Sequence, residues 1–369
     1  NAVVFSFLLL KKGIEENEKH SKWLAAFICL GGLYICPFML GYAEWYSIKS
    51  YREFLFFVPF QQLFLIGPVF YFYVKTLINR NLEFTPKDFI HFLPAILYLI
   101  YSLIVFLTDT FILAEFYFYA DGKDKDLDFW YQMAGLISML FYLFASLKSY
   151  VSYRNLSLQE VSYADEIAFK WMKHFIIAFS LILVLRVLFF ILNPEWGEFG
   201  RKYWYYLCFS ILLFYISLTG YSNTIKTSIK LAATPLVGFE PPGSGENNTE
   251  SEEALAVPMW KDKIEHLFEA EEIYKNPNLT LTDLASLLNT NRNIISKAIN
   301  QEFNMNFNDF VNEKRAEAVI EKLKNGEHTR NTLLGIALDC GFNSKTTFNR
   351  AFKKHTDTTP KQFITKNQL

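Results

Sequence analysis

Three polar side chains stand inside runs of apolar residues, where hydrocarbon would leave them unsolvated: Arg186 in LILVLRVLFFILN, and Gln61 and Gln62 in PFQQLFLIGP. A guanidinium and two carboxamides in one layer could line a pocket for a polar ligand. The competing readings are an arginine that snorkels outward and a structural hydrogen bond. A second chemical opportunity lies near the other end of the chain, in CGFNSKTTFNRAFKKH, Cys340 to His355. There Lys, Arg and Asn interleave with Phe348 and Phe352, so a helix would pack its rings inward and turn N–H donors and positive charge outward.

Catalytic chemistry finds no foothold. The sequence has no Walker loop, no HExxH, no kinase-type phosphoacceptor His in a helical hairpin and no Ser/His/Asp set that can be aligned. Cys29, Cys36, Cys208 and Cys340 lack CxxC spacing and a His cluster, so neither a zinc site nor a disulfide framework is suggested, and a buried Cys is read as a small hydrophobe. The chain is therefore expected to be no enzyme and to use no cofactor or metal.

The elements that must carry these residues divide sharply by composition. Of 369 residues, 38 are Phe and 21 are Tyr, and almost all the long apolar runs precede Tyr221. Windows long enough to cross a bilayer fall at Trp23–Tyr42, Phe54–Ile78, Phe89–Leu107, Phe129–Val151, Phe175–Leu192 and Tyr203–Gly220. The opening NAVVFSFLLLKK reads as the second half of another such helix, so the natural chain is expected to start upstream, and the expected total is seven. With Lys75 and Lys148 at the span ends counted in, loops one, three and five carry four, three and four Lys or Arg, against two in each of the others, so the odd loops and everything after Tyr221 are expected in the cytoplasm. At 1.5 Å per residue Arg186 would lie about 9 Å, and the two Gln about 11 Å, from the outer face.

After Ser222 the pattern dissolves into TPLVGFEPPGSGENNTESEEA, whose Pro, Gly, Ser and Glu predict a flexible connector over 222–257. Helical signals return from 258 to 369. Trp260, Ile264, Leu267 and Phe268 share a face of a lead-in helix, and Thr280 with Asp283 caps the next one. Two short helices that cross at a tight turn need a small residue at the contact, one tolerant of left-handed φ in the turn, and an apolar plug on the second helix. Ala285, Asn289 and Ile295 have that spacing. The arrangement recurs some 52 residues on with Ala337 and Gly341, the second turn being one residue longer. FNDFVNEKRAEAVIEKLKNGE between the copies reads as one long helix.

From Leu279 to Phe363 the chain resembles the DNA-binding domain of the AraC/XylS family of transcription regulators, through both helix-turn-helices, KRAEAVIEKL, ALDCGF and TPKQF. IGPVFYFYVKTLI and KDFIHFLPAILYLI are more loosely similar to the multi-pass sensor halves fused to such domains in some bacteria. Asn304 and Asp357 stand where the family usually has Gly, and both suit left-handed φ. The resemblance implies that Arg292, Asn293, Ser296, Lys297 and Asn300 of the first recognition helix face DNA. In the second helix it implies the same of Ser344, Lys345, Thr346, Asn349, Arg350 and Lys353. Arg and Asn can fork onto guanine and adenine edges, while Lys and Thr more often hold phosphate. From Thr290 to Leu369, 13 Lys and Arg less 8 Asp and Glu leave +5, a balance that suits a polyanion.

The expected architecture is all-α: a polytopic transmembrane helix bundle over 1–221, the connector, and a soluble domain with two helix-turn-helix motifs joined by a long helix. The expected function is transcription regulation from the bacterial cytoplasmic membrane. Its expected partners are double-stranded DNA, the lipid bilayer, a second copy as homodimer, RNA polymerase, and an unidentified signal ligand or membrane partner. Arg186, Gln61 and Gln62 are its candidate ligand residues. The contrasting reading is a transporter or channel with a cytoplasmic helical protein-interaction domain.

Overall fold

The computed structural model describes residues 1–79, 82–120, 124–163, 169–192, 202–231 and 257–368, and among them the secondary structure is helical apart from one isolated bridge, Val161 with Thr280. The chain divides into two compact units, Asn1–Tyr150 with Lys170–Phe239, and Val151–Phe169 with Glu240–Leu369.

The first unit contains α1 (Ala2–Glu15), α2 (Lys19–Tyr42), α3 (Lys49–Phe56), α4 (Leu63–Ile78), α5 (Leu93–Leu107), most of α6 (Phe129–Glu160), α7 (Phe169–Val187) and α8 (Lys202–Leu231). Among the described residues, five helical stretches are long and apolar enough to cross a membrane: Lys19–Tyr42, Pro86–Leu113, Phe129–Glu160, Trp171–Leu192 and Tyr203–Thr224. Leu63–Ile78 is a shorter apolar helix, and α1 has 14 residues.

One expected span is corrected. Phe54–Ile78 is not continuous: α3 stops at Phe56 and α4 begins at Leu63. Pro59 has no N–H and biases Val58 away from helical ψ, so the chain unwinds there. The freed backbone is bonded by side chains. The Gln61 N–H donates to Asp126 Oδ2 at 2.9 Å, the Tyr131 hydroxyl donates to the Gln61 carbonyl at 2.6 Å, and the Leu63 N–H donates to that hydroxyl at 3.2 Å. A broken helix inside an apolar layer needs such partners, because no water is there to supply them.

Aromatic rings fill the centre of this unit. Phe70 stacks on Phe179 at 4.0 Å and on Phe175 at 5.0 Å, with Phe27 meeting both partners edge-on. Close approach needs a missing side chain at Gly135, where a Cβ would fall 2.5 Å from that of Leu63. The outward faces are apolar too: Phe7, Leu97, Phe144, Val184 and Ile211 are all more than half exposed, each on a different helix.

The expected connector is corrected at its start, for α8 continues from Tyr221 to Leu231. That stretch, SNTIKTSIKL, contains neither Gly nor Pro to stop a helix. The remainder of the expected connector, 232–256, lies outside the described residues.

In the second unit follow α9 (Val257–Ala270), α10 (Leu281–Leu287), α11 (Arg292–Glu302), α12 (Phe307–Lys324), α13 (Leu333–Asp339), α14 (Lys345–Thr356) and α15 (Pro360–Lys366). It has two cores. Ile264, Phe268, Leu281, Leu284, Ile295 and Ile299 pack in one, and Ile336, Ala337, Cys340, Phe342, Phe348 and Phe352 in the other. The 18-residue α12 serves both, giving Phe307, Phe310 and Val311 to the first and Ala316, Val319 and Leu323 to the second. It is the strut expected from the sequence.

Candidate nucleic-acid interface

Each recognition helix is set by the turn before it. The Thr280 hydroxyl accepts from the Asp283 N–H at 3.1 Å, and the Asp283 carboxylate accepts from the Thr280 N–H at 2.9 Å, which starts α10 where the sequence predicts. At its end Asn289 takes φ +51°, and the Thr290 N–H reaches back to the Ala285 carbonyl at 2.9 Å. In the second copy Gly341 takes φ +89°, and the Phe342 N–H reaches the Ala337 carbonyl at 3.0 Å. These are the same left-handed helix end built twice, with Ala285 and Ala337 in equivalent places. Asn291 caps α11 through the Asn293 N–H, whereas Ser344 caps α14 through the Thr347 N–H, so the second turn is the longer by one residue.

Gly341 is required for a second reason. A Cβ there would overlap the Tyr274 carbonyl and lie 2.9 Å from Lys275 Cα. Asn304 and Asp357, after the two recognition helices, have φ of +55° and +57°, the conformation anticipated for them.

α11 buries Ile295, Ala298 and Ile299 and leaves Asn293, Lys297 and Asn300 exposed, with Arg292 and Ser296 half-buried. Ser296 Oγ accepts a long 3.5 Å hydrogen bond from Asn300 Nδ2. α14 buries Thr347, Phe348, Ala351 and Phe352 and leaves Lys345, Thr346, Asn349, Arg350 and Lys353 exposed. Ser344 is half-buried, its hydroxyl committed to the cap. The next two side chains of α14 turn to the strut instead: Lys354 pairs with Asp309 at 2.8 Å and His355 with Glu313 at 3.1 Å. The cationic helix thus has one face on α12 and another exposed. Burial pushes the Cys340 thiol up to about 11, as befits an inert core residue.

Among the described residues, Glu313, Glu317 and His355 come together at or near the surface. Glu317 already pairs with Lys314 at 3.1 Å, and Glu313 with His355, so the group is an ion-pair cluster on the strut.

Residues 284–366 match the model of a helix-turn-helix domain family. The chain carries a helix-turn-helix domain. An uncharacterized HTH-type transcriptional regulator of Staphylococcus aureus strain COL is 31% identical over 113 residues, which are 29% of this chain and 15% of that relative. A protein of the same description from strain N315 gives the same figures. The chain thus spans only 15% of the length of these curated relatives. No solved structure matches.

The helix-turn-helix domain also holds a polar set that sequence reasoning missed. Asn308, Asn312 and Arg315 lie along α12 and are at most 3% exposed. Arg315 is a hub within the unit: its Nε donates to the Tyr274 carbonyl at 2.8 Å and its Nη2 to the Asn276 carbonyl at 2.7 Å. Spacings of four and three, which put three polar residues on one helix face, were the available signal.

In the first unit the three ligand candidates are all buried, and two of them are linked. Arg186 Nη2 donates to Gln132 Oε1 at 2.7 Å, and Gln132 Nε2 donates to Gln61 Oε1 at 2.8 Å. Gln62 turns away, donating from Nε2 to the Pro59 carbonyl at 2.6 Å. The connecting residue, Gln132, and the carboxylate beneath it, Asp126, went unnoticed in the sequence; Gln132 was visible as an amide near the start of an apolar run. Burial pushes Asp126 up to about 6 and Asp124 up to about 7, with the neighbouring Asp126 charge adding to the second shift. The space beside Arg186 is lined by Phe27, Gly31, Tyr34, Met139 and Phe209 and admits about one water, with a volume near 20 Å³. Arg186 therefore serves as a hydrogen-bonded element of the packing in this conformation.

Proposed function

We propose that this chain is a membrane-anchored transcription regulator that binds duplex DNA through two tandem helix-turn-helices and is controlled by a signal acting on the helical bundle. The helix-turn-helix domain supports regulation of transcription, and a module of that kind binds rather than catalyses. The observation that carries it is the repeated turn at Asn289 and Gly341, held by one strut, with Lys, Arg and Asn on the outer faces of both following helices. Anchoring is supported by the five long apolar helices and their exposed Phe, Leu and Val side chains, which water would not favour. The Staphylococcus aureus relatives are described as transcriptional regulators, which supports the same direction.

Sequence preference would come from Asn293, Asn300, Asn349, Arg292 and Arg350 at base edges, with Lys297, Lys345, Thr346 and Lys353 on phosphates. Two chains would be needed to cover a promoter with paired half-sites. The test is binding of the intact protein in nanodiscs to fragmented genomic DNA, sequenced after recovery. The reading expects a recurrent motif and an affinity that drops steeply with salt. Recovery without sequence preference and without salt dependence would end it.

A further inference from the structure

Residues 160–163 lie between α6 and α7 in the chain, yet they pack inside the unit that carries the helix-turn-helices. Ser162 is fully buried and Val161 nearly so. The Ser162 N–H donates to the Leu279 carbonyl at 3.1 Å, beside the antiparallel bridge from Val161 to Thr280. Asn308 Nδ2 donates to the Ser162 carbonyl at 2.8 Å and to the Val161 carbonyl at 3.2 Å, and Asn312 Nδ2 reaches the Ser162 carbonyl at 3.2 Å. Arg315 Nη2 donates to Ser162 Oγ at 3.1 Å. The polar set on α12 is thus a socket filled by the backbone of this segment. With the segment withdrawn, buried amide donors would lose their acceptors, so the socket has a definite occupied state.

The residue just before the segment touches the DNA-facing side. Glu160 Oε1 stands 3.7 Å from Arg292 Nη1, at the first residue of α11. A carboxylate there occupies one of the cations that would meet phosphate or a base edge, and it repels a polyanion approaching the start of the helix.

We propose that Glu160–Tyr163 is a built-in ligand of the helix-turn-helix domain, and that its docked form lowers affinity for DNA by holding Glu160 against the first recognition helix. The inference rests on the DNA-binding reading above. α6 ends at Glu160, so a displacement of that helix end acts directly on the segment. Withdrawal would return Arg292 to the DNA side. The domain's affinity would then depend on what happens to α6, which a simple membrane tether would not bring about.

The test uses the intact chain in phosphatidylcholine nanodiscs with a 40-base-pair duplex of about random sequence, titrated at two salt concentrations. Glu160→Gln removes only the charge, and is expected to tighten binding about two- to fivefold, the range of a half-exposed ion pair. Val161→Asp places a charge in a buried position to expel the segment, and is expected to tighten binding at least as much. Protection of the backbone amides along α12 from hydrogen exchange reports whether the domain stays folded in each variant. Tighter binding by Glu160→Gln supports the proposal. Unchanged or weaker binding by Glu160→Gln, with the parent chain binding duplex normally, overturns it while leaving the DNA-binding reading intact. No binding by the parent chain, with its domain protected from exchange, overturns the reading itself and the proposal with it.

Discussion

In the first helix-turn-helix Asn289 makes the turn and the recognition helix opens on Arg292, with Glu160 at 3.7 Å; in the second Gly341 makes the turn and the helix opens on exposed Lys345. The backbone bonding that ends the preceding helix is alike in the two copies, although the second turn is longer by one residue. Their surroundings are what separate them. The first turn has room for a side chain and an acidic segment close to its recognition helix, whereas the second is pressed against the Tyr274 carbonyl and carries the exposed positive face. The comparison teaches that a duplicated fold can assign restraint to one copy and attraction to the other. The Arg315 hub lies beside the second turn, since it bonds the Tyr274 carbonyl that also abuts Gly341.

The largest effect should come from the turns. Gly341→Ala forces a Cβ into backbone at left-handed φ and should destabilise the domain by roughly 2–4 kcal/mol, whereas Asn289→Gly should stay within about 0.5 kcal/mol. Hydrogen exchange in the intact protein reads both, Asn289→Gly from α10 and α11 and Gly341→Ala from α13 and α14, and equal effects at the two turns would contradict this ranking. Next in size, Arg350→Ala should lose roughly 1–3 kcal/mol of discrimination at one base pair while Lys345 still holds phosphate. A binding-site selection with the variant checks it, through one relaxed column in the recovered motif.

A third expectation sets the bundle against the helix-turn-helix domain. Asp124 and Asp126 are raised to about 7 and about 6 from 3.8, so the folded state keeps protons that the unfolded state releases. Stability of the bundle should therefore fall as pH rises from about 4 to about 7 and level off above. Asp124→Asn keeps an acceptor for the Asp126 N–H and should recover roughly 1 kcal/mol at pH 8, seen as a flatter pH profile of thermal unfolding in nanodiscs. The smallest effect belongs to Lys353→Ala: a uniform loss of about threefold over all sequences, with the salt slope lower by about one.

Much of the second unit was legible before any coordinates. Thr280 with Asp283, the left-handed Asn289, Asn304 and Asp357, the plug at Ile295 and the rings at Phe348 and Phe352 are local rules of helix ends and faces, and each is realised. The apolar helices were legible by length alone, except where Pro59 broke one and where nothing broke α8 at Tyr221. The polar connections were not. Gln132 joins Arg186 to Gln61, and Ser162 joins the α6–α7 segment to α12, through pairs separated by tens of residues or more, and single-sequence periodicity carries no information about such pairs. The docked segment was the least visible, because EVSY, Glu160 to Tyr163, lies in the fifth loop, where only Lys and Arg were counted.

Two similar helix-turn-helices on one strut are expected to contact the same duplex. Hydroxyl-radical footprinting of the intact protein in nanodiscs, on a duplex recovered from the genomic selection, tests it directly. For each domain bound, two protected patches should appear on one side of the DNA about 10 base pairs apart, with the patch assigned to α14 lost in Arg350→Ala. A single patch, or two patches that both persist in Arg350→Ala, would contradict it.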